Sequence, residues 1–126
     1  MISNTKILVV DDEPYICDVM RRILEIGDYR VSTTTDGKTA LELVKEDGPD
    51  VVLLDLMMPG MDGREVCRRV REIAPETRII YFTGTVEFDA SQSKILSREA
   101  DAVILKPATS KIILSTISKV LKNTRK

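Results

Sequence analysis

Acidic side chains placed after apolar runs are the first chemistry this chain offers. Asp11, Asp12 and Glu13 follow Ile7–Val10, and Asp55 follows Val51–Leu54. Thr83 follows Ile79–Phe82, and Lys106 with Pro107 follows the run ending at Leu105. Singly, each has an ordinary role. Asp12, ahead of Pro14, could cap a helix. Asp55 could open the Met58-Pro59-Gly60 turn. Thr83 before Gly84 is common loop chemistry, and Lys106 could simply face solvent. Together they are harder to account for, because neighbouring carboxylates repel and raise one another's pKa. Something cationic should be bound. Oxygen ligands suit a hard divalent ion, and Mg²⁺ suits a site that also handles phosphate. With that ion present, one carboxylate can attack phosphorus and give an aspartyl phosphate. Lys106 and the metal would neutralise the transferring group, and Thr83 could donate a hydrogen bond to it. An ionised carboxylate needs no general base.

The elements that must position these groups follow from periodicity. Short apolar runs at Lys6–Val10, Tyr29–Thr34, Asp50–Leu54, Arg78–Phe82 and Asp101–Leu105 alternate with longer amphipathic stretches. Runs apolar on both faces belong in a parallel sheet covered by helices on each side. Ile16, Val19, Met20, Ile23 and Leu24 keep helical spacing, with Pro14 at the first turn and Gly27 as a stop. A second helix is expected from about Lys38 to Glu46, with Ala40, Leu41 and Val44 inward. A third carries Val66, Val70 and Ile73 and ends by Pro75. The last buries Ile113, Leu114, Ile117, Val120 and Leu121. Between Glu87 and Arg98 only Phe88, Ile95 and Leu96 are strongly apolar, so that helix is weakly anchored. The order is (βα) five times, an α/β doubly wound parallel sheet. Ligands in such sheets bind beyond the carboxyl ends of the strands. If the strand order is 2-1-3-4-5, the aspartates face one another at the switch point.

Composition removes whole classes of function. With 126 residues, 43% hydrophobic and 31% charged, the chain can bury a core without disulfides. A formal charge of −1 gives no field for nucleic acid or an anionic membrane. Zero histidines exclude a Ser-His-Asp triad, an HExxH zinc site and a phosphohistidine on this chain. Cys17 and Cys67 form no CxxC pair, sit beside the helical apolar stripes as half-buried residues, and suit a reduced compartment. No signal pattern or spanning segment is visible, so the expectation is a cytoplasmic protein. Arg64, Arg68 and Arg71 share a helix face with Arg69 beside them, either as a solvated face or as a dock for an acidic partner. The basic tail Lys119–Lys126 is expected to be a solvated end.

The motifs Val9-Val10-Asp11-Asp12-Glu13, Leu53-Leu54-Asp55-Leu56-Met57-Met58-Pro59-Gly60-Met61-Asp62-Gly63, Phe82-Thr83-Gly84 and Leu105-Lys106-Pro107 resemble the response-regulator receiver domain of bacterial two-component signalling. The resemblance runs from Lys6 to about Leu121. It implies one flavodoxin-like receiver domain over 1–126, with its core at about 6–121 and a tail at 122–126. It makes Asp55 the phosphoryl acceptor and Asp12 a direct Mg²⁺ ligand, with Asp11 reaching the metal largely through water. The backbone carbonyl of Met57 would be a further ligand. Thr83 would turn toward the phosphoryl group, Lys106 would pair with it, and the bond before Pro107 would be cis. Gly84 would leave the acceptor accessible. The donor would be a phosphohistidine on a sensor histidine kinase or a histidine phosphotransfer protein. The output would be a downstream protein met through the last two helices and last strand, without direct binding of nucleic acid or membrane.

Departures concern output. Val103 stands where the family usually has Tyr or Phe, Ala108 replaces a frequent Phe, and Glu99 sits where a helix-ending glycine is common. Ile112 is an extra apolar residue that could serve a partner surface. Neither Met57 nor Thr85 is suited to positioning a hydrolytic water, which implies slow self-dephosphorylation. Two other readings compete. One is a receiver fold used as a phosphorylation-independent binding module. The other is a small Mg²⁺-dependent phosphatase of the haloacid dehalogenase type, with Asp11 and Glu13 as its Asp-x-Asp echo.

Overall fold

Runs of Val, Ile and Leu form the strands because branched side chains pack well on a pleated surface covered from both sides. The computed structural model describes residues 4–84 and 90–123. Its elements are β1 (Lys6–Val10), α1 (Pro14–Ile26), β2 (Arg30–Thr34), α2 (Gly37–Asp47), β3 (Val51–Leu54), α3 (Gly63–Ile73), β4 (Arg78–Thr83), α4 (Ala90–Glu99), β5 (Ala102–Leu105) and α5 (Ser110–Lys122). All strand pairs are parallel, in the order β2-β1-β3-β4-β5. This is the doubly wound flavodoxin-like arrangement expected from the alternation of runs. Thr85 and Phe88, which carried two of the sequence expectations, lie outside the described residues.

Alternate residues of each strand feed two core layers. Leu8, Val10, Val52, Leu54, Ile79 and Tyr81 pack with Ala40 and Val44 of α2, Val66 and Val70 of α3, and Leu96 of α4. On the opposite face, Ile7, Val9, Leu53, Ile80, Phe82 and Ile104 pack with Met20 and Leu24 of α1 and Ile113 and Ile117 of α5.

Local sequence sets the helix ends. Pro14 occupies the first turn of α1, where its missing N–H costs nothing. Asp36, Asp62 and Thr109 cap α2, α3 and α5 by accepting the backbone N–H of Thr39, Glu65 and Ile112 at 2.8, 2.9 and 3.2 Å. Gly48 ends α2 in the left-handed region, at φ 57°. No helix among the described residues is long and apolar enough to cross a membrane.

One expectation needs correction and one refinement. Cys17 and Cys67 are buried, not half-buried: each belongs to a core layer, where its thiol also donates to a backbone carbonyl, Cys17 to Asp11 O and Cys67 to Glu99 O. Ile73 closes α3 as expected, partly exposed. The α3 arginines are not simply a solvated face. Arg68 and Arg69 pair with Glu65 within the helix, but Arg64 reaches Glu99, and Arg71 reaches Asp101 and the Glu99 carbonyl.

Candidate functional site

Register brings the chemistry together. Val10 lies opposite Leu54, and Thr83 opposite Leu105, so the strands end nearly level. The ladder then runs one residue further: Asp55 N donates to Val10 O at 2.9 Å, and Lys106 N to Thr83 O at 2.8 Å. Asp11, Asp55, Thr83 and Lys106 are thereby fixed by the sheet itself, not by flexible loops. Asp55 and Lys106 open with Asp12 onto a cleft of about 380 Å³, also lined by Glu13, Met57 and Gly84, while Asp11 and Thr83 are buried at the same sheet edge.

The ordinary roles weighed for these residues divide. Asp12 does not cap α1. The cap position is Glu13, and the Glu13 N–H is taken by Asp11 Oδ1 at 3.0 Å. Asp55 does hold its own turn, accepting from Met57 N at 3.2 Å through Oδ1. Its other oxygen, Oδ2, lies 3.6 Å from Lys106 Nζ. Lys106 does not face solvent. Its ammonium donates to Asp11 Oδ2 at 2.6 Å and stands 5.2 Å from the centre of the Phe82 ring. The Lys106–Pro107 peptide bond is cis.

Burial dominates the titration of the acceptor candidate. It pushes the Asp55 carboxyl above the ordinary carboxylate range; the Met57 amide and Lys106 oppose the rise, and the charges of Asp11 and Asp12 add to it. Burial alone would lower Lys106, but its hydrogen bond and charge contact with Asp11 outweigh that and raise it. Thr83 is fully buried, and its Oγ1 has no hydrogen-bond partner among the described residues. A buried hydroxyl left so costs about 1–3 kcal/mol.

The donor set fits a hard cation. Asp11, Asp12 and Asp55 each bring a carboxylate oxygen within 4.8 Å of the others, with no nitrogen or sulfur ligand among them. Met57 borders the same cleft with its side chain exposed.

Gly63 is a residue to which the motif alone assigned no role. A Cβ there would stand 2.2 Å from Asp55 O and 2.7 Å from Leu56 Cα, so only glycine lets α3 start against the Asp55 backbone. Gly63 N in turn donates to Leu56 O at 3.1 Å. Gly60, at φ 80°, makes the preceding turn. The sequence signal was a glycine directly after the capping Asp62, but the approach to Asp55 depends on the fold. Phe82 beneath Lys106 was likewise not singled out.

A level, parallel sheet with an acidic cleft and a lysine at its switch point defines the flavodoxin-like receiver class. The family model for the response regulator receiver domain matches residues 7–118. Among solved structures, the CheY-like receiver domain protein of Methanospirillum hungatei is 29% identical over 94% of this chain and 94% of its own, with a TM-score of 0.85. The chemotaxis protein CheY4 of Vibrio cholerae is 28% identical over 94% of this chain and 99% of its own, with a TM-score of 0.84. The response regulator TrrA of Thermotoga maritima, solved in complex with Mg²⁺-BeF, is 30% identical over 92% of this chain and 98% of its own, with a TM-score of 0.81. The chain belongs to the response regulator receiver domain family. Members are phospho-acceptor signalling modules that bind Mg²⁺ at an acidic pocket and meet histidine kinases or phosphotransfer proteins.

Proposed function

We propose that this chain accepts a phosphoryl group on Asp55 from a partner's phosphohistidine and passes the change to a protein target. The observation that carries this reading is the buried Asp55 carboxylate with one oxygen facing Lys106 Nζ at 3.6 Å, beside two further carboxylates. Both Asp11 oxygens are engaged, by Glu13 N and Lys106 Nζ, so Asp11 is the poorer nucleophile. This disfavours the phosphatase reading, which needs Asp11 to attack.

In the transfer, an Asp55 carboxylate oxygen forms the O–P bond as the donor's N–P bond breaks. The electron pair leaves on the donor imidazole nitrogen, which takes its proton from solvent. Lys106 offsets charge on the phosphoryl oxygens, and Thr83 Oγ1 gains the acceptor it lacks. Asp11, Asp12, Asp55 and the Met57 carbonyl would hold Mg²⁺, which when bound offsets the carboxylates' mutual repulsion and the charge on the phosphoryl group. Gly84 keeps the mouth small-sided, its nearest neighbours being Lys106 Cβ and Cδ. Self-dephosphorylation is slow, because Met57 offers no group to position water.

The output target meets the face of α4, β5 and α5, where Ile95, Leu105 and Ile112 are about half exposed. A cytoplasmic setting, where sensor kinases present their phosphohistidine, suits this role. Borohydride reduction after acetyl phosphate treatment tests the acceptor, since it reduces an acyl phosphate and marks its residue. The mark should fall on Asp55. A mark on Asp11 or Asp12 would overturn the assignment.

A further inference from the structure

Beyond the cleft, the densest polar cluster among the described residues joins β4, α3 and α4. Tyr81 of β4 is fully buried, yet its hydroxyl donates to Glu99 Oε1 at 2.9 Å. Glu99 closes α4 and is gripped from α3: Arg64 Nε lies 2.9 and 3.0 Å from its two oxygens, with a further close contact from Arg64 Nη2. The Glu99 carbonyl also accepts from Arg71 Nη2 at 2.9 Å and from the Cys67 thiol. The side-chain hydrogen bonds of α4 among the described residues all converge on Glu99. Of the α4 side chains described, Leu96 joins the core and Glu99 makes these polar contacts, while Lys94, Ile95, Ser97 and Arg98 are exposed.

Tyr81 and Thr83 lie two apart on one strand, so their side chains leave the same face of the sheet. Thr83 is the buried hydroxyl without a partner among the described residues, and its carbonyl accepts from Lys106 N of the cleft. Across the ladder from Tyr81 stands Val103, so the aromatic bulk at this level comes from β4 and not β5. A shift of the end of β4 must therefore either carry the Tyr81 hydroxyl with Glu99 or leave that hydroxyl buried without an acceptor, which is costly. Following is the cheaper course.

We propose that the Tyr81–Glu99–Arg64 clasp couples the Thr83 end of β4 to α4, with Tyr81 and Glu99 as positioning residues that make α4 follow the state of the Asp55 cleft. The inference rests on Asp55 being the acceptor. It names a contiguous physical link between two places, and linkage makes it reciprocal: a partner that moves α4 alters the cleft.

Hydrogen–deuterium exchange over α4, with and without beryllofluoride and Mg²⁺, tests the link, and intact mass after acetyl phosphate reports the acceptor separately. The parent should change α4 protection on adding beryllofluoride. Tyr81→Phe and Glu99→Gln should lose most of that change while still taking up one phosphoryl group, and the double variant should lose no more than either single one. Arg64 is more than half exposed, so Arg64→Met opens the clasp from outside with little disturbance of the core and should show the same loss. Arg68→Met, on the same helix but paired with Glu65, should keep the full response. Folded clasp variants that respond like the parent would overturn the coupling. A parent that takes up no phosphoryl group would overturn the Asp55 reading, and the clasp's role with it.

Discussion

Thr83 and Gly63 show how much single side chains and their absence decide here. Thr83 contributes a buried oxygen without a partner among the described residues, so removing that oxygen should help the fold while harming the response. Thr83→Val, which keeps the shape, is expected to raise stability by about 1 kcal/mol in urea unfolding. It should also blunt the structural change on beryllofluoride binding; a destabilised variant would contradict the orphaned state of Oγ1. Gly63→Ala should cost about 2–3 kcal/mol, because a methyl group would meet the Asp55 backbone and neither partner can retreat. Met57→Asn, which places an amide beside the cleft, should shorten the life of the phosphorylated state in a phosphate-release assay. That Asp11, Asp12, Asp55, Thr83 and Lys106 would gather at one edge of the sheet was readable from the sequence, because each stands at or just past the end of an apolar run. Tyr81, Glu99 and Arg64 were not, since a partnership spanning 18 or 35 residues is invisible until the chain is folded.

Among the elements, the helices were legible where apolar spacing and caps agreed. The second helix starts at Gly37, one residue before the expected Lys38, because Asp36 caps it through both Thr39 groups. The fourth has little amphipathic signal, and among its described side chains the apolar contact of Leu96 is joined by the polar contacts of Glu99. Asp36 also supplies a pH test. The Thr39 N–H, and then the Thr39 hydroxyl, hold its carboxyl below the ordinary range. A carboxyl lowered in the folded state adds stability that is complete above the ordinary carboxylate pKa and fades as pH falls through the folded value. Asp36→Ala should therefore cost about 1 kcal/mol at neutral pH. The gap to the parent should narrow in acid unfolding as pH drops below about 4; a gap that stays constant would show that the charge plays no part.

For the whole molecule, sheet order is what turns scattered residues into a site. Placing β1 beside β3 sets Asp11 and Asp12 next to Asp55, and placing β5 beside β4 brings Lys106 to Thr83. Ile95, Leu105 and Ile112, on α4, β5 and α5, are left about half exposed, and the proposed output contact draws on them. Three carboxylates in one cleft also predict that Mg²⁺ stabilises the protein, by about 1.4 kcal/mol at ten times its dissociation constant. Thermal unfolding should show that gain in the parent and lose it in Asp12→Ala. The central claim is settled most directly by intact mass after acetyl phosphate, with and without Mg²⁺, for the parent and Asp55→Asn. One phosphoryl addition that needs both the ion and Asp55 is the expected result. Equal addition in Asp55→Asn, or none in the folded parent under any condition, would contradict the account.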